Sequence, residues 1–92
     1  MIISAGMFKG RRLVYPRGRL FRPTKTIVRE AVINMIAHKL DGSIFLDLCA
    51  GSGAIGFEAE SQGAGMVVCV DKETTILKKN ALELGSSAKI IR

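Results

Sequence analysis

The sequence has few of several residue types, and each shortage argues against a class of protein. It has two cysteines, Cys49 and Cys69, which favours buried, reduced thiols in a cytoplasmic protein. It has one histidine, His38, which lies on a different predicted element, so we expect no metal site. No apolar run reaches the roughly 20 residues of a membrane-spanning helix. The first residues lack the basic and apolar regions of a secretory signal, so none is expected.

Acidic residues are scarce in the first part of the chain. Residues 1–39 contain nine basic side chains and one acidic one, a net charge of +8, whereas residues 40–92 contain five basic and seven acidic ones, a net charge of −2. A surface of this kind is typical of proteins that bind a polyanion. We therefore predict an arm that contacts the phosphates of a nucleic acid through Lys9, Arg11, Arg12, Arg17 and Arg19. The alternative is a solvated basic surface that only aids solubility.

The composition otherwise indicates one small folded domain. The chain has 92 residues, of which 48% are hydrophobic and 24% charged. Apolar periodicity and turn residues predict a hairpin in residues 2–15 and a helix with Thr24 or Thr26 as its N-cap, ended by Asp41-Gly42. They also predict strands at 44–49, 66–70 and 89–92, and helices at 54–62 and 73–84. The predicted fold is α/β: a hairpin and a helix, then the first half (βαβαβ) of a Rossmann-like parallel sheet.

Two burial patterns follow from the apolar residues. Strand 44–49 is almost continuously apolar, which predicts burial on both faces, as in a parallel sheet. The first helix repeats apolar residues at helical spacing, which predicts one buried stripe: Ile27, Val28, Ala31, Val32, Met35, Ile36 and Leu40. A half-sheet also leaves an unpaired edge beside its first strand, where a fourth strand would pair. The sequence therefore predicts low stability or self-association.

The segment with the most chemical information is Asp47-Leu-Cys-Ala-Gly51-Ser-Gly53-Ala-Ile-Gly56. It takes a buried strand through a glycine-rich turn into a helix, whose first N–H groups have no partner within the helix. Glycines at this turn let a ligand approach the main chain. Asp71 follows the next strand, and its carboxylate can accept two hydrogen bonds from a ribose diol. The segment therefore predicts an adenosine-containing cofactor.

The nature of that cofactor depends on Asp47. Gly51-Ser-Gly53-Ala-Ile-Gly56 also satisfies the dinucleotide pattern, but an anionic side chain four residues before Gly51 would oppose a pyrophosphate. S-adenosylmethionine has no phosphate and carries positive charge, so the acid favours this methyl donor over NAD. A side chain at Gly53 is expected to occupy the space of the donor. The alternative without a ligand is that Asp47 only caps the turn and the glycines only allow close packing.

The chain resembles the N-terminal part of the bacterial 16S ribosomal RNA guanine-N2 methyltransferases. The matching segments cover almost the whole chain: Ile2–Leu13, Arg22-Pro-Thr24, Val28–Ala31 with Asn34, Leu46–Gly53, Gly56–Ala59, Gly63-Ala64 and Val67–Asp71. The Gly-Arg-Arg-Leu and Arg-Pro-Thr segments, at their spacing from the glycine turn, are more specific than the turn. The resemblance implies a Rossmann-like methyltransferase fold and an activity that transfers a methyl group to an exocyclic amine of small-subunit RNA.

The resemblance also implies roles for particular residues. Asp47, Gly51 and Gly53 would line the methionine and adenosine parts of S-adenosylmethionine, and Asp71 would hold the ribose. Arg22 and Thr24 would close over the pocket, and the predicted cofactor-binding set also includes Ala50, Ser52 and Lys72. The chain departs from the family at Cys49, where phenylalanine is commoner, and at Asp71, where glutamate is common.

One family element is missing from the sequence. The amine-methylating motif is an Asp or Asn followed by two prolines and an aromatic residue, and this chain has only Pro16 and Pro23. We therefore assign no catalytic residue. We expect a basic arm in residues 1–23 and a cofactor-binding half-domain in residues 24–92, truncated relative to the family and inactive alone. The expected partners are 16S RNA in the cytoplasm and a completing polypeptide or a second copy. The alternatives are a non-catalytic RNA-binding module and half of an NAD-binding domain.

Overall fold

The computed structural model describes residues 2–14 and 23–92 and confirms the α/β fold. The elements in these residues alternate along the chain: α1 (Pro23–Leu40), β1 (Ile44–Leu48), α2 (Ala54–Ser61), β2 (Met66–Val70), α3 (Thr75–Leu84) and β3 (Lys89–Ile91). The ends of the later elements differ from the prediction by at most two residues. No helix in the described residues is both long and apolar enough to cross a membrane.

The three strands form a parallel sheet in the order β1-β2-β3. Asp47 is opposite Cys69 in the register of β1 and β2, and Val70 is opposite Ile91 in that of β2 and β3. Parallel pairing requires a crossover connection, and α2 and α3 supply the two crossovers. The carboxyl ends of all three strands therefore lie along the same edge of the sheet.

The N-terminal segment is part of the hydrophobic core. Ile3, Phe8 and Leu13 are buried in one cluster with Phe57 of α2 and Leu77 of α3. The predicted hairpin consists of a single antiparallel bridge between Ile2 and Arg12 in the described residues, and Tyr15 lies outside them. The boundary between an arm and a domain near residue 23 stays a prediction.

Polar contacts fix the N-terminal segment on α2. Ser61 accepts a hydrogen bond from the Met7 amide through its carbonyl and one from the Phe8 amide through its Oγ, both at 2.9 Å. The same hydroxyl donates to the Ala5 carbonyl at 2.6 Å. Gly6 must be glycine here, because a Cβ would lie 1.8 Å from the Ser61 carbonyl oxygen and φ is +88°. Ser61 therefore holds the backbone of residues 5–8 against α2.

The predicted buried stripe of α1 is wrong at most of its positions: Leu40 is buried and Ile36 half-buried, but Ile27, Val28 and Met35 are exposed. Among the side chains that the structure describes in this helix, from residue 27 onwards, the buried ones are Arg29, Ile33 and Leu40. The buried face follows the packing partner: Ile33 and Leu40 form a small cluster with Ala59 of α2, while the Arg29 Nε lies 3.7 Å from the Glu58 carboxylate. The predicted N-cap is also wrong, because α1 begins at Pro23 and so contains both threonines.

The prediction that β1 is buried on both faces is wrong as well. Ile44, Leu46 and Leu48 are 76%, 57% and 65% exposed. Helix α2 packs on the opposite face of β1 and β2, where Val67 and Cys69 are buried. The apolar run of β1 therefore includes one face that nothing in the described residues covers.

This exposed face and the outer edge of β1 predict self-association. In the described part of the chain β1 pairs only with β2, so a row of its backbone groups has no strand partner. Apolar surface rarely stays exposed on this scale in a stable monomer. We expect sedimentation velocity to show dimers or larger species whose share grows with protein concentration. Leu46→Lys should shift the distribution towards monomer, and a stable, concentration-independent wild-type monomer would contradict the expectation.

The two cysteines have opposite environments. Cys69 is fully buried, as predicted, and its pKa is raised to about 12 by burial and, secondarily, by the negative charges of Asp47 and Glu60. Cys49 was predicted to be buried within the first strand. It instead follows the end of β1, is exposed and has φ +62°. The chain turns away from the sheet at this residue, which takes its side chain out of the core.

This difference predicts that only one thiol of the folded protein reacts rapidly. Thiolate is the reactive form, and Cys69 is both inaccessible and held protonated far above neutral pH. Titration with a chromogenic disulfide at pH 8 should show one fast equivalent in native protein and two in denaturant. Cys49→Ser should have no fast equivalent. Two fast equivalents in the native wild type would contradict the burial of Cys69.

Candidate functional site

The turn after β1 lies at the carboxyl edge of the sheet. The Ala50 amide donates to the Val70 carbonyl at 2.9 Å, which fixes the turn to the end of β2. The Gly53 amide donates to the Ala50 carbonyl at 2.8 Å and closes the turn. Cys49, Gly51 and Gly53 all have positive φ values, which favour glycine over other residues. The turn therefore presents backbone at the place where the strand ends meet.

The three glycines of the motif have different surroundings. Among the residues that the structure describes, a Cβ on Gly51 would meet nothing within 4 Å, so this residue faces space that the described part of the chain leaves open. A Cβ on Gly53 would lie 2.2 Å from the Phe57 ring and 2.8 Å from Leu77. A Cβ on Gly56 would lie 2.7 Å from the Cys69 sulfur, so this glycine lets α2 pack closely on β2. The expected reason for glycine at position 53 was wrong, because a side chain there would enter the core rather than the ligand space.

Asp47 satisfies the start of α2. Its Oδ2 accepts a hydrogen bond from the Gly56 amide at 3.2 Å. The N-cap residue of α2 is Gly53, which has no side chain to cap the helix. Burial raises the pKa of Asp47, the Gly56 hydrogen bond opposes that rise, and the charge of Asp71 adds to it. The carboxylate thus supplies negative charge at the helix N-terminus, where the helix dipole favours an anion.

Asp71 is bound to the same turn from the neighbouring strand. Its Oδ2 accepts from the Gly51 amide at 2.7 Å, and its Oδ1 accepts from the Glu73 amide at 3.1 Å. These bonds, the Gly51 one first, lower the pKa of Asp71 and keep it ionised. A carboxylate has about four acceptor positions, so lone pairs remain for a ligand. The structure thus brings Asp47, Gly51 and Asp71 together.

The remaining predicted cofactor residues differ in how far the structure locates them. Ser52 is buried, Ala50 is half-buried in the turn and Lys72 is exposed beside Asp71. Thr24 lies in the first turn of α1, which the structure describes by its backbone. Arg22 lies outside the described residues.

The basic residues predicted to bind RNA are partly described. Lys9, Arg11 and Arg12 are exposed, whereas Arg17 and Arg19 lie outside the described residues. The Arg11 guanidinium donates to the Glu83 carbonyl near the end of α3. A cation is favourable at a helix C-terminus, so Arg11 also has a structural contact. Its other donors are available to a phosphate.

Sequence reasoning missed Asn80. This residue is fully buried on α3, between Leu77 and Leu84 on the face that packs into the core. Its Nδ2 donates to the Ser52 carbonyl of the turn and to the Val14 carbonyl, both at 2.9 Å, and its Oδ1 accepts from the Val14 amide at 2.8 Å. An amide side chain on the apolar side of a helix was the available signal, since buried polar groups need partners.

The fold is the Rossmann-like fold of solved methyltransferase structures to which this chain is similar. A solved structure of yhhF from Escherichia coli, a proposed methyltransferase, superposes with a TM-score of 0.87 at 33% identity, over 100% of this chain and 51% of that one. A proposed methylase from Haemophilus influenzae superposes with a TM-score of 0.72 at 35% identity, over 98% and 49% of the two chains. The chain belongs to the family described as conserved hypothetical protein 95, whose model matches residues 1–92.

Curated relatives of this chain are rRNA methyltransferases by name. The chain is 39% identical over 97 residues to YlbH of Bacillus subtilis, a proposed rRNA methyltransferase, over 100% of this chain and 53% of that protein. It is 37% identical over 90 residues to ribosomal RNA small subunit methyltransferase D of Haemophilus influenzae, over 95% and 47%. The chain therefore spans about half the length of these relatives.

Proposed function

We propose that this chain is the cofactor-binding half of an S-adenosylmethionine-dependent methyltransferase that modifies the exocyclic amine of a guanine in 16S ribosomal RNA. The chain itself lacks the amine-methylating motif, so the proposal assigns it binding and not catalysis. When bound, S-adenosylmethionine supplies an electrophilic methyl group on its sulfonium. The relatives' names support the RNA class, and the guanine specificity rests on the resemblance of the sequence to that family.

The observation that carries the choice of cofactor is the Asp47 contact with α2. In dinucleotide-binding domains the pyrophosphate sits at the N-terminus of this helix. Here the Asp47 carboxylate occupies that position and accepts the Gly56 amide at 3.2 Å. A pyrophosphate would have to displace it or lie against it, whereas a sulfonium or ammonium gains from its charge. The residues of the turn therefore fit S-adenosylmethionine and oppose NAD.

The other residues of the turn fit the rest of the ligand. No described residue would contact a Cβ at Gly51, so the described part of the chain leaves room for a ligand to approach the main chain closely there. The ionised Asp71 has acceptor positions left for a ribose diol after its bonds to the turn. The exposed ammonium of Lys72 lies next to it in sequence. In this proposal Asp47 meets the positive end of the ligand and Asp71 holds the sugar.

Isothermal titration with S-adenosylhomocysteine tests the proposal. The chain, shown to be folded by circular dichroism, should bind with one site per chain, and NAD should give no heat under the same conditions. The matched variant is Asp47→Asn, which keeps the size of the side chain and removes the charge. Asp47→Asn should bind S-adenosylhomocysteine more weakly than wild type and NAD more tightly than wild type. Binding of NAD without S-adenosylhomocysteine would replace the proposal with the oxidoreductase alternative.

We further propose that the basic N-terminal segment binds the RNA phosphates. Arg12 is exposed, and no side-chain hydrogen bond engages it in the described residues. Arg12→Ala should weaken RNA binding by a similar factor for unrelated sequences. It should also make the slope of log binding constant against log salt concentration less steep by about one. Fluorescence anisotropy across a salt series measures both. A loss confined to one sequence would contradict a phosphate contact.

The alternative is a non-catalytic RNA-binding module that keeps the fold without the cofactor. It predicts salt-sensitive RNA binding together with no response to S-adenosylhomocysteine, and RNA affinity that is unchanged in Asp71→Ala. The contacts of Asp71 with the glycine turn favour the cofactor proposal over this one. We place the protein in the cytoplasm, where ribosomal RNA is modified. We also expect a completing polypeptide or a second copy of this chain to cover the exposed face of β1.

A further inference from the structure

The N-terminal segment and the glycine turn share one buried side chain. Asn80 is 0% exposed and holds three backbone groups: the Val14 amide, the Val14 carbonyl and the Ser52 carbonyl. Arg11 and Arg12 precede Val14, and Arg17 and Arg19 follow it in the sequence. Ser52 stands between Gly51 and Gly53. One amide therefore joins the backbone of the basic segment to the backbone of the proposed cofactor turn.

The hydrogen-bond capacity of Asn80 makes this connection specific. Both N–H groups of Nδ2 are used, one on each backbone segment, and Oδ1 is used on the Val14 amide. A shift of the turn away from α3 would leave a buried donor without a partner. A shift of Val14 would leave both a donor and an acceptor without one. Because unpaired buried groups are costly, the two segments have one favourable position relative to each other.

We propose that Asn80 is a positioning residue that couples the two halves of the site, so that RNA and S-adenosylmethionine bind cooperatively. A ligand that orders the glycine turn also fixes the Ser52 carbonyl on Asn80. It thereby lowers the ordering cost of the basic segment through Val14. Linkage requires the reverse as well, so RNA on the basic segment tightens binding at the turn by the same factor. The inference rests on the proposed function, since it needs both ligands.

The first test is a pair of titrations on the full chain. S-adenosylhomocysteine affinity is measured with and without a saturating short RNA oligonucleotide of mixed sequence. The wild type should bind S-adenosylhomocysteine about fivefold or more tightly when RNA is present. Asn80→Ala should still bind each ligand, with a ratio near one. Ala81→Gly, which weakens the same helix next to Asn80 but leaves the amide contacts in place, should keep the wild-type ratio.

These outcomes distinguish failure of the proposed coupling from failure of the proposed function. No binding of S-adenosylhomocysteine to folded wild type overturns the proposed function, and the coupling with it. Binding of both ligands with independent affinities overturns only the coupling. Equal loss of the ratio in Ala81→Gly and Asn80→Ala would assign the effect to helix stability rather than to the Asn80 contacts, and would also overturn it.

A second measurement needs no variant and decides the matter if Asn80→Ala does not fold. Amide exchange of the wild type is followed by NMR with and without S-adenosylhomocysteine. The Val14 amide is bonded to Asn80 and not to the turn, so Asn80 is its direct hydrogen-bond connection to the ligand site. We expect its exchange to slow about fivefold or more on ligand binding. An unchanged Val14 amide, alongside a protected Gly53 amide, would overturn the coupling.

Discussion

Gly53→Val is expected to unfold the domain or to destabilise it by about 3 kcal/mol or more. Its first side-chain atom would overlap the Phe57 ring and Leu77, and valine disfavours the φ of +89° at this position. Such a loss is a large part of the roughly 5–14 kcal/mol available to a chain of this length. Urea denaturation followed by circular dichroism measures it.

Gly51→Ala is the matched control for this change. Gly51 also has a positive φ, +60°, but a Cβ there would meet no atom of the described residues 2–14 and 23–92 within 4 Å. The expected cost to folding is therefore only the backbone strain, about 1 kcal/mol. Its methyl group would project into the space where the ligand approaches, so S-adenosylhomocysteine binding should fall while the fold persists. A Gly53→Val variant as stable as wild type would contradict the close packing of Phe57 and Leu77 against Gly53.

Asp71→Asn is expected to reduce S-adenosylhomocysteine binding by roughly 100-fold or more, since two hydrogen bonds to a charged acceptor are weakened together. The amide would also place a donor against one of the two backbone N–H groups that the carboxylate now accepts, from Gly51 and Glu73. The variant therefore disturbs both the ligand contact and the turn. Isothermal titration at constant ionic strength measures the loss.

Glu73→Gln is the control, because it removes the same charge two residues away. Glu73 is exposed and accepts from Thr75, with no contact to the glycine turn. The Glu73→Gln variant should bind S-adenosylhomocysteine with an affinity within a few-fold of that of wild type. A loss as large as that of Asp71→Asn would show that net charge, rather than the position of Asp71, controls binding.

The direction of the Asp71 shift adds a pH dependence. Its pKa is lowered in the folded protein, so its contribution to stability is complete above the ordinary carboxyl range and is lost as pH falls through the lowered value. Cofactor affinity of the wild type should fall over that same acidic window. The Asp71→Asn variant should lose this part of the decrease and keep the part caused by protonation of Asp47, whose pKa is raised and which therefore loses its charge at higher pH than Asp71. A flat wild-type profile down to the acid unfolding transition would contradict a role for the Asp71 charge.

The sequence predicted the elements well because their signals are local. Gly42, Gly63 and Gly85 each have a positive φ, and each follows a helix within two residues. The apolar runs of β2 and β3 and the glycine turn are likewise readable from neighbouring residues. The carboxyl-edge placement of Asp47 and Asp71 follows from parallel strands alone. These features depend on backbone preferences and on periodicity, which a single sequence contains.

Burial was decided by tertiary contacts. The apolar spacing of α1 predicted the burial of Leu40 but was wrong at most other positions, because the helix also packs through Ile33 and buries Arg29 beside Glu58. The continuous apolar character of β1 gave no sign that Ile44 and Leu46 would be exposed. Periodicity shows which residues can be buried, but the partner that covers a face lies elsewhere in the chain or outside it.

The sequence by itself determined the alternation of strands and helices, the glycine turn and the two acids at the strand ends, since these follow from residue type and spacing. Only the tertiary structure decided what each glycine does, with Gly51 facing space that the described part of the chain leaves open and Gly53 facing the core. It also decided that Asn80 joins Val14 to Ser52. The physical reason is that hydrogen bonds and close contacts between residues 66 and 28 positions apart depend on how the elements pack.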